Sequence, residues 1–133
     1  MTMSNLHPGF ILIAVGLIAL FVPKSLRRPV LAAGPLLGLG AVLTLAPGTN
    51  ATLPFINGIT LHYLHVDALS WIFALIFCMM AAIGGIYACH NSNRMEAFCS
   101  MTYAGSALGV TLAQDWLTLI FFSELMAATS LFL

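Results

Sequence analysis

Between Asp67 and Arg94 the chain carries no Lys, Arg, Asp or Glu, and most of that interval is Ala, Leu, Ile, Phe, Met and Gly. An apolar stretch of this length reads as a membrane helix, because about 20 residues at about 1.5 Å each cross a hydrocarbon core about 30 Å thick. Four further apolar runs accompany it, separated by short polar links. With 61% of residues hydrophobic and only four basic and four acidic ones, the surface cannot be made polar. No water-soluble domain of this length hides so much apolar area, and zero net charge argues against nucleic acid. The expectation is an all-α integral membrane protein, one domain over 1–133, with about five transmembrane helices and an extracytoplasmic β-hairpin between the second and third.

In order, the first apolar run starts at Pro8, a residue suited to the first helical turn, and reaches spanning length over 8–26 if Pro23 is tolerated and Lys24 snorkels. A signal peptide is the competing reading, but only His7 is basic before the apolar part and no small-x-small cleavage site follows. Lys24, Arg27 and Arg28 form a basic loop, and the second helix, 29–46, opens at Pro29. Pro35 predicts a kink there, and Gly34 with Gly38 permits a close neighbour. Pro47-Gly48-Thr49-Asn50 ends it; the glycosylation sequon at Asn50 is too short a pattern to carry weight.

Asn57-Gly58 between two β-prone runs predicts the hairpin, 53–66. His62 and His65 fall in its second arm, on opposite faces of a strand, which suits surface or interface roles better than a metal site. Asp67 caps the third helix, 67–89, whose Ala81, Ala82, Gly84, Gly85 and Ala88 form a small-residue patch. His90-Asn91-Ser92-Asn93-Arg94 connects to the fourth helix, 95–113, with Gly105-x-x-x-Gly109 and Ser106 as a close-contact face. Asp115 caps the fifth, 115–133. Cys78, Cys89 and Cys99 lack metal-ligand spacing and read as small core residues. All four basic residues fall in the first-to-second and third-to-fourth connections. The positive-inside rule therefore puts 24–28 and 90–94 in the cytoplasm of a cell with this chain in its inner membrane, and the N-terminus outside.

The fifth run, DWLTLIFFSELMAATSLFL, holds a single carboxylate in its interior. Counted from Asp115, Glu124 lies about 13 Å down the helix, close to mid-membrane. An ionised carboxylate there costs several kcal/mol or more, so it protonates, meets a cation or faces water. That is the chemistry of a proton relay. Ser106, Thr118, Ser123, Thr129 and Ser130 are candidates to hold water along its path, with their own helix carbonyls as the competing partners. His90 is a candidate proton feed at the cytoplasmic end. The apolar ending at Leu133, without basic anchor or polar tail, suggests an interrupted chain or a remainder supplied separately.

Three stretches carry a family resemblance: Val66-Asp67-Ala68-Leu69-Ser70 with the helix ending Ile86-Tyr87-Ala88; Phe98 with Tyr103 to Val110; and Asp115 to Met126 with Thr129-Ser130. Together they resemble the N-terminal part of the antiporter-like subunits of Mrp-type Na+/H+ antiporters, NADH:quinone oxidoreductase and membrane-bound hydrogenases, the Mrp type above all. The resemblance implies an initial three helices followed by the first two of an inverted five-helix repeat. It implies that Glu124 is the pump glutamate, although Ser123 stands where the family usually has Trp. It further implies a partner Lys on a broken seventh helix. This chain's single Lys is Lys24, so other membrane subunits are expected as partners, one of them supplying that lysine.

The mechanism this implies is electrostatic, with the lysine moving toward or away from Glu124 and so binding or releasing a proton. The cargo is H+, with Na+ as counter-ion in an antiporter. No cofactor or metal is expected, for the chain has no nucleotide loop, haem ligand pair or iron–sulfur cysteine set. The alternative class is a structural or assembly subunit, in which Gly105 and Gly109 matter and Glu124 does not.

Overall fold

Pro23 sets the first boundary. It sits extended, at φ −63° and ψ 158°, as the N-cap of the second helix, so the first helix stops before it. The computed structural model describes residues 7–54, 60–88 and 93–133. It is mostly helical with one small sheet: α1 (Pro8–Phe21), α2 (Lys24–Thr44), β1 (Asn50–Pro54), β2 (Thr60–His65), α3 (Ala68–Ala88), α4 (Arg94–Leu112) and α5 (Trp116–Ser130).

Two expectations about the first connection are corrected. The first helix ends at Phe21 rather than 26, and Lys24, Arg27 and Arg28 are the opening turns of α2 rather than a loop. Lys and Arg are good helix formers, and a Pro just before the first turn costs the helix no hydrogen bond, since an N–H there has no partner within the helix. Arg27 is buried. α2 continues through both Pro29 and Pro35.

α1 packs on α2 and α4, α3 packs on α2 and α4, and α5 packs chiefly on α4. The first four thus form a ring, with α5 added on the outer flank of α4. Glycines set the closest approaches. A Cβ at Gly105 would lie 2.6 Å from the carbonyl oxygen of Gly9, and one at Gly85 would lie 2.8 Å from that of Leu31. One at Gly34 would run into Val15 and one at Gly109 into the Phe122 ring. Gly84 and Gly40 face open space, so only part of the expected small-residue patch on α3 packs.

Pairing of Gly9 with Gly105 and of Gly16 with Phe98 and Thr102 makes α1 and α4 antiparallel. The starts of α2 and α4 therefore share one end of the bundle, with Lys24, Arg27, Arg28 and Arg94. The hairpin, Asp67 and Asp115 occupy the other. The core is two clusters along this axis. Val15, Ala19, Leu31, Ala97 and Met101 lie toward the basic end; the larger cluster joins Leu12, Val42, Cys78 and Leu108 to Ala51 and Leu64 of the hairpin.

The strands pair antiparallel, Asn50 with His65 and Pro54 with Thr60, with an irregularity between Ala51 and Leu53. The first arm begins at Asn50 rather than 53, because pairing runs back to His65; the turn at Asn57-Gly58 lies outside the described residues. Gly48, at φ 96°, makes the turn into β1, a conformation that costs other residues, and its N–H reaches the Val66 carbonyl at 2.7 Å.

Only α2 (Lys24–Thr44) and α3 (Ala68–Tyr87) are, among the described residues, long and apolar enough to cross a membrane. α1 and α5, at 14 and 15 residues, rise only about 21 and 22 Å. α4 is long enough but diluted by Arg94, Glu96 and its Ser, Thr and Gly residues. The five expected helices are present, the first over Pro8–Phe21 rather than 8–26 and the fifth over Trp116–Ser130 rather than 115–133, and two of the five meet that measure.

Candidate functional site

α5 has apolar residues on every side. At about 100° per residue, Thr118, Phe122 and Thr129 share one face, and that face is buried. Glu124 lies about 200° around from Phe122. It is exposed, on the flank that carries exposed Leu117, Ile120 and Leu131, turned away from the other four helices.

The candidate path residues do not gather around it. Ser106 is buried on α4 and donates to the Thr102 carbonyl at 2.7 Å. Thr118 and Thr129 face α4, and Thr129 donates to the Leu125 carbonyl at 2.9 Å. Ser123 and Ser130 share a different flank of α5 from Glu124 and donate to Ile120 at 2.9 Å and Ala127 at 2.7 Å. Four of the five hydroxyls thus serve carbonyls of their own helices, the usual economy of Ser and Thr in apolar helices. His90 and Cys89 lie outside the described residues.

At the hairpin end, Asp67 and Asp115 diverge in role. Asp67 and Ser70 cap α3 reciprocally: the Ser70 N–H donates to the Asp67 carboxylate at 2.7 Å and the Asp67 N–H to the Ser70 hydroxyl at 3.0 Å. Bonds from the Ser70 side chain, then its backbone N–H, hold the Asp67 carboxyl below its ordinary value. Asp115 stands at the N-cap of α5, but its side chain does not cap the helix. Its carboxylate instead accepts the backbone N–H of His62, tying β2 to the start of α5. This corrects the expected capping role: a strand amide on the open edge of β2 competes for the same oxygen. His65 pairs with the Asn50 side chain across the strands. No three His, Cys, Asp or Glu side chains converge among the described residues.

His7 is the residue that sequence reasoning passed over. It is 1% exposed and is the N-cap of α1, its Nδ1 accepting the Gly9 N–H at 3.0 Å. Its ring stacks on Phe122, 5.4 Å between centroids, and lies 5.6 Å from Phe10 and 6.4 Å from Tyr63. Position before Pro8 was the available clue to the cap. Nothing local pointed to the ring's surroundings, which come from β2 and α5. Trp71 makes a second long-range tie, its indole N–H reaching the Val42 carbonyl at 3.2 Å.

Comparison with known protein families, with curated proteins and with solved structures finds no match.

Proposed function

We propose that the chain is a membrane-embedded component of a multisubunit cation/proton antiporter, with Glu124 as the proton-translocating carboxylate. The observation that carries this reading is that Glu124 stands exposed on an apolar face of α5, turned away from the rest of the chain. In an apolar surrounding that carboxyl must protonate or find a cation. Lys24, the chain's single lysine, sits at the basic end of the bundle, so the cation comes from a neighbouring subunit packed on that face.

Embedding in the cytoplasmic membrane is supported by where polarity lies. His7, Thr102, Ser106, Thr118 and Thr129 are buried, while Ile72, Ile76, Met79, Ile83 and Ile86 of α3 face outward with Leu117, Ile120 and Phe121 of α5. Soluble monomers rarely expose contiguous apolar patches beyond a few hundred Å2. On this reading α2 and α3 span, α1, α4 and α5 pack beside them, the basic end faces the cytoplasm, and the hairpin faces out.

Mechanistically, a partner lysine close to Glu124 shares its charge and holds its own proton; when it withdraws, Glu124 takes up a proton and the lysine's affinity changes with it. The same electrostatics serve antiporter-like subunits of NADH:quinone oxidoreductase and membrane-bound hydrogenases. A purely structural role is the second reading, favoured by one observation: four of the five candidate hydroxyls donate to carbonyls of their own helices rather than to Glu124.

The test has two stages. The complex purified through this chain in mild detergent is expected to contain further antiporter-like membrane subunits. Reconstituted with Glu124→Gln, it is expected to assemble normally and to lose ion-coupled proton movement. Undiminished transport by that variant removes Glu124 from the mechanism and leaves the structural reading.

A further inference from the structure

We infer that His7 is a positioning residue: its ring clamps Phe122 into the notch at Gly109 and so sets the rotation of α5 that turns Glu124 outward. This rests on the reading of Glu124 as the working carboxylate.

A helix with apolar residues on every face has no pattern to fix its rotation about its own axis. Turning α5 by one residue, about 100°, would still bury an apolar or hydroxyl side chain against α4 while swinging Glu124 toward or along it. The azimuth must therefore come from shape. Gly109 supplies the hollow, since any side chain there would occupy the space of the Phe122 ring. His7 supplies the other jaw, nearly parallel to that ring at an interplanar angle of 24°. Phe10, 5.4 Å from Phe122 between centroids, closes the side.

Capping alone does not account for a histidine here. Asn, Asp or Ser would cap Gly9 as well, and with less buried polarity. Because Nδ1 accepts from Gly9, the ring carries its proton on Nε2, and that atom is buried without a hydrogen-bond partner among the described residues. Such a donor is costly to bury. The chain bears that cost at this position, and what the ring touches is aromatic: Phe122, Phe10 and Tyr63. Tyr63 in turn belongs to the strand that Asp115 ties to the start of α5. Rotation and axial position of α5 are thus fixed by neighbouring contacts.

The experiment uses the purified complex and a hydrophobic carbodiimide, with modification of Glu124 followed by mass spectrometry. His7→Asn keeps a cap acceptor and removes the ring; His7→Phe keeps the ring and removes the cap; Phe122→Leu removes the other ring. His7→Asn and Phe122→Leu are each expected to change the Glu124 labelling rate by about threefold or more, a factor at the lower end of what an aromatic pair contributes. His7→Phe is expected to label like the parent, and the double variant no differently from the stronger single one. Parent-like labelling in Phe122→Leu or His7→Asn overturns the inference, as does an equal change in His7→Phe and His7→Asn. If His7→Asn does not assemble, Phe122→Leu decides alone. The carbodiimide reacts with the protonated carboxyl and so reports the surroundings of Glu124 whether or not transport runs through it, and loss of the proposed function through an active Glu124→Gln leaves this test independent.

Discussion

Gly105→Ala, set against Gly84→Ala, isolates the cost of separating α1 from α4. Both glycines are inside helices, so each replacement gains the same helix propensity, about 0.8–1.0 kcal/mol, and that gain cancels in the comparison. At Gly84 the new methyl meets nothing within 4 Å. At Gly105 it would stand 2.6 Å from the Gly9 carbonyl oxygen and 2.9 Å from Ile13 Cγ1, against 3.4 Å where ordinary contact begins. The obstacle is backbone, which cannot step aside as a side chain would. The helices must part locally by about 0.8 Å, a gap that forfeits a quarter to a half of each dispersion contact along the seam. Overpacking of this kind costs about 1–3 kcal/mol. Gly84→Ala is therefore expected to be stabilised by up to about 1 kcal/mol and Gly105→Ala to lie about 1–3 kcal/mol below it. Denaturant titration of the protein in mild detergent, followed by circular dichroism, measures the difference. Two variants equal within about 0.5 kcal/mol would refute close α1–α4 contact at this point.

Trp71→Phe removes the indole donor to the Val42 carbonyl and is expected to lower stability by about 0.5–1.5 kcal/mol in the same titration. Asp115→Ala frees the His62 amide, and hydrogen exchange at that amide should accelerate on the order of tenfold, as for loss of a charge-assisted bond, while amides in α3 are unaffected. Asp67 has a carboxyl depressed in the folded chain, so the stability it contributes is present above its unfolded value near 3.8 and is lost as pH falls through the lowered folded value. Thermal unfolding should accordingly show an acid-side loss, shrinking in Asp67→Asn, and a loss of equal size in that variant would remove Asp67 as its source.

Much of the chain's layout is local and therefore legible. Five helices and one hairpin follow from apolar runs cut by Pro47-Gly48, by Asp67 with Ser70, and by Gln114-Asp115. Asp67 caps α3 because its carboxylate and the Ser70 N–H that donates to it are only three residues apart. The second helix, expected to open at Pro29, opens at Lys24 directly after Pro23, since Lys and Arg are good helix formers that lose little by joining α2. Asp115 has the residue type and position of a cap but spends its carboxylate on His62, a partner 53 residues away.

What the amino-acid order determined alone is therefore the set of elements, their sequence, their apolar character and the presence of one acid within α5. What only the tertiary structure decided is the direction that acid faces, which hydroxyls are already occupied, and the meeting of His7 with Phe122. The reason is that α5 is apolar on every side. Burial favours no face of such a helix over another, and its rotation is set by the fit of one ring into a hollow formed by residues far away in the chain.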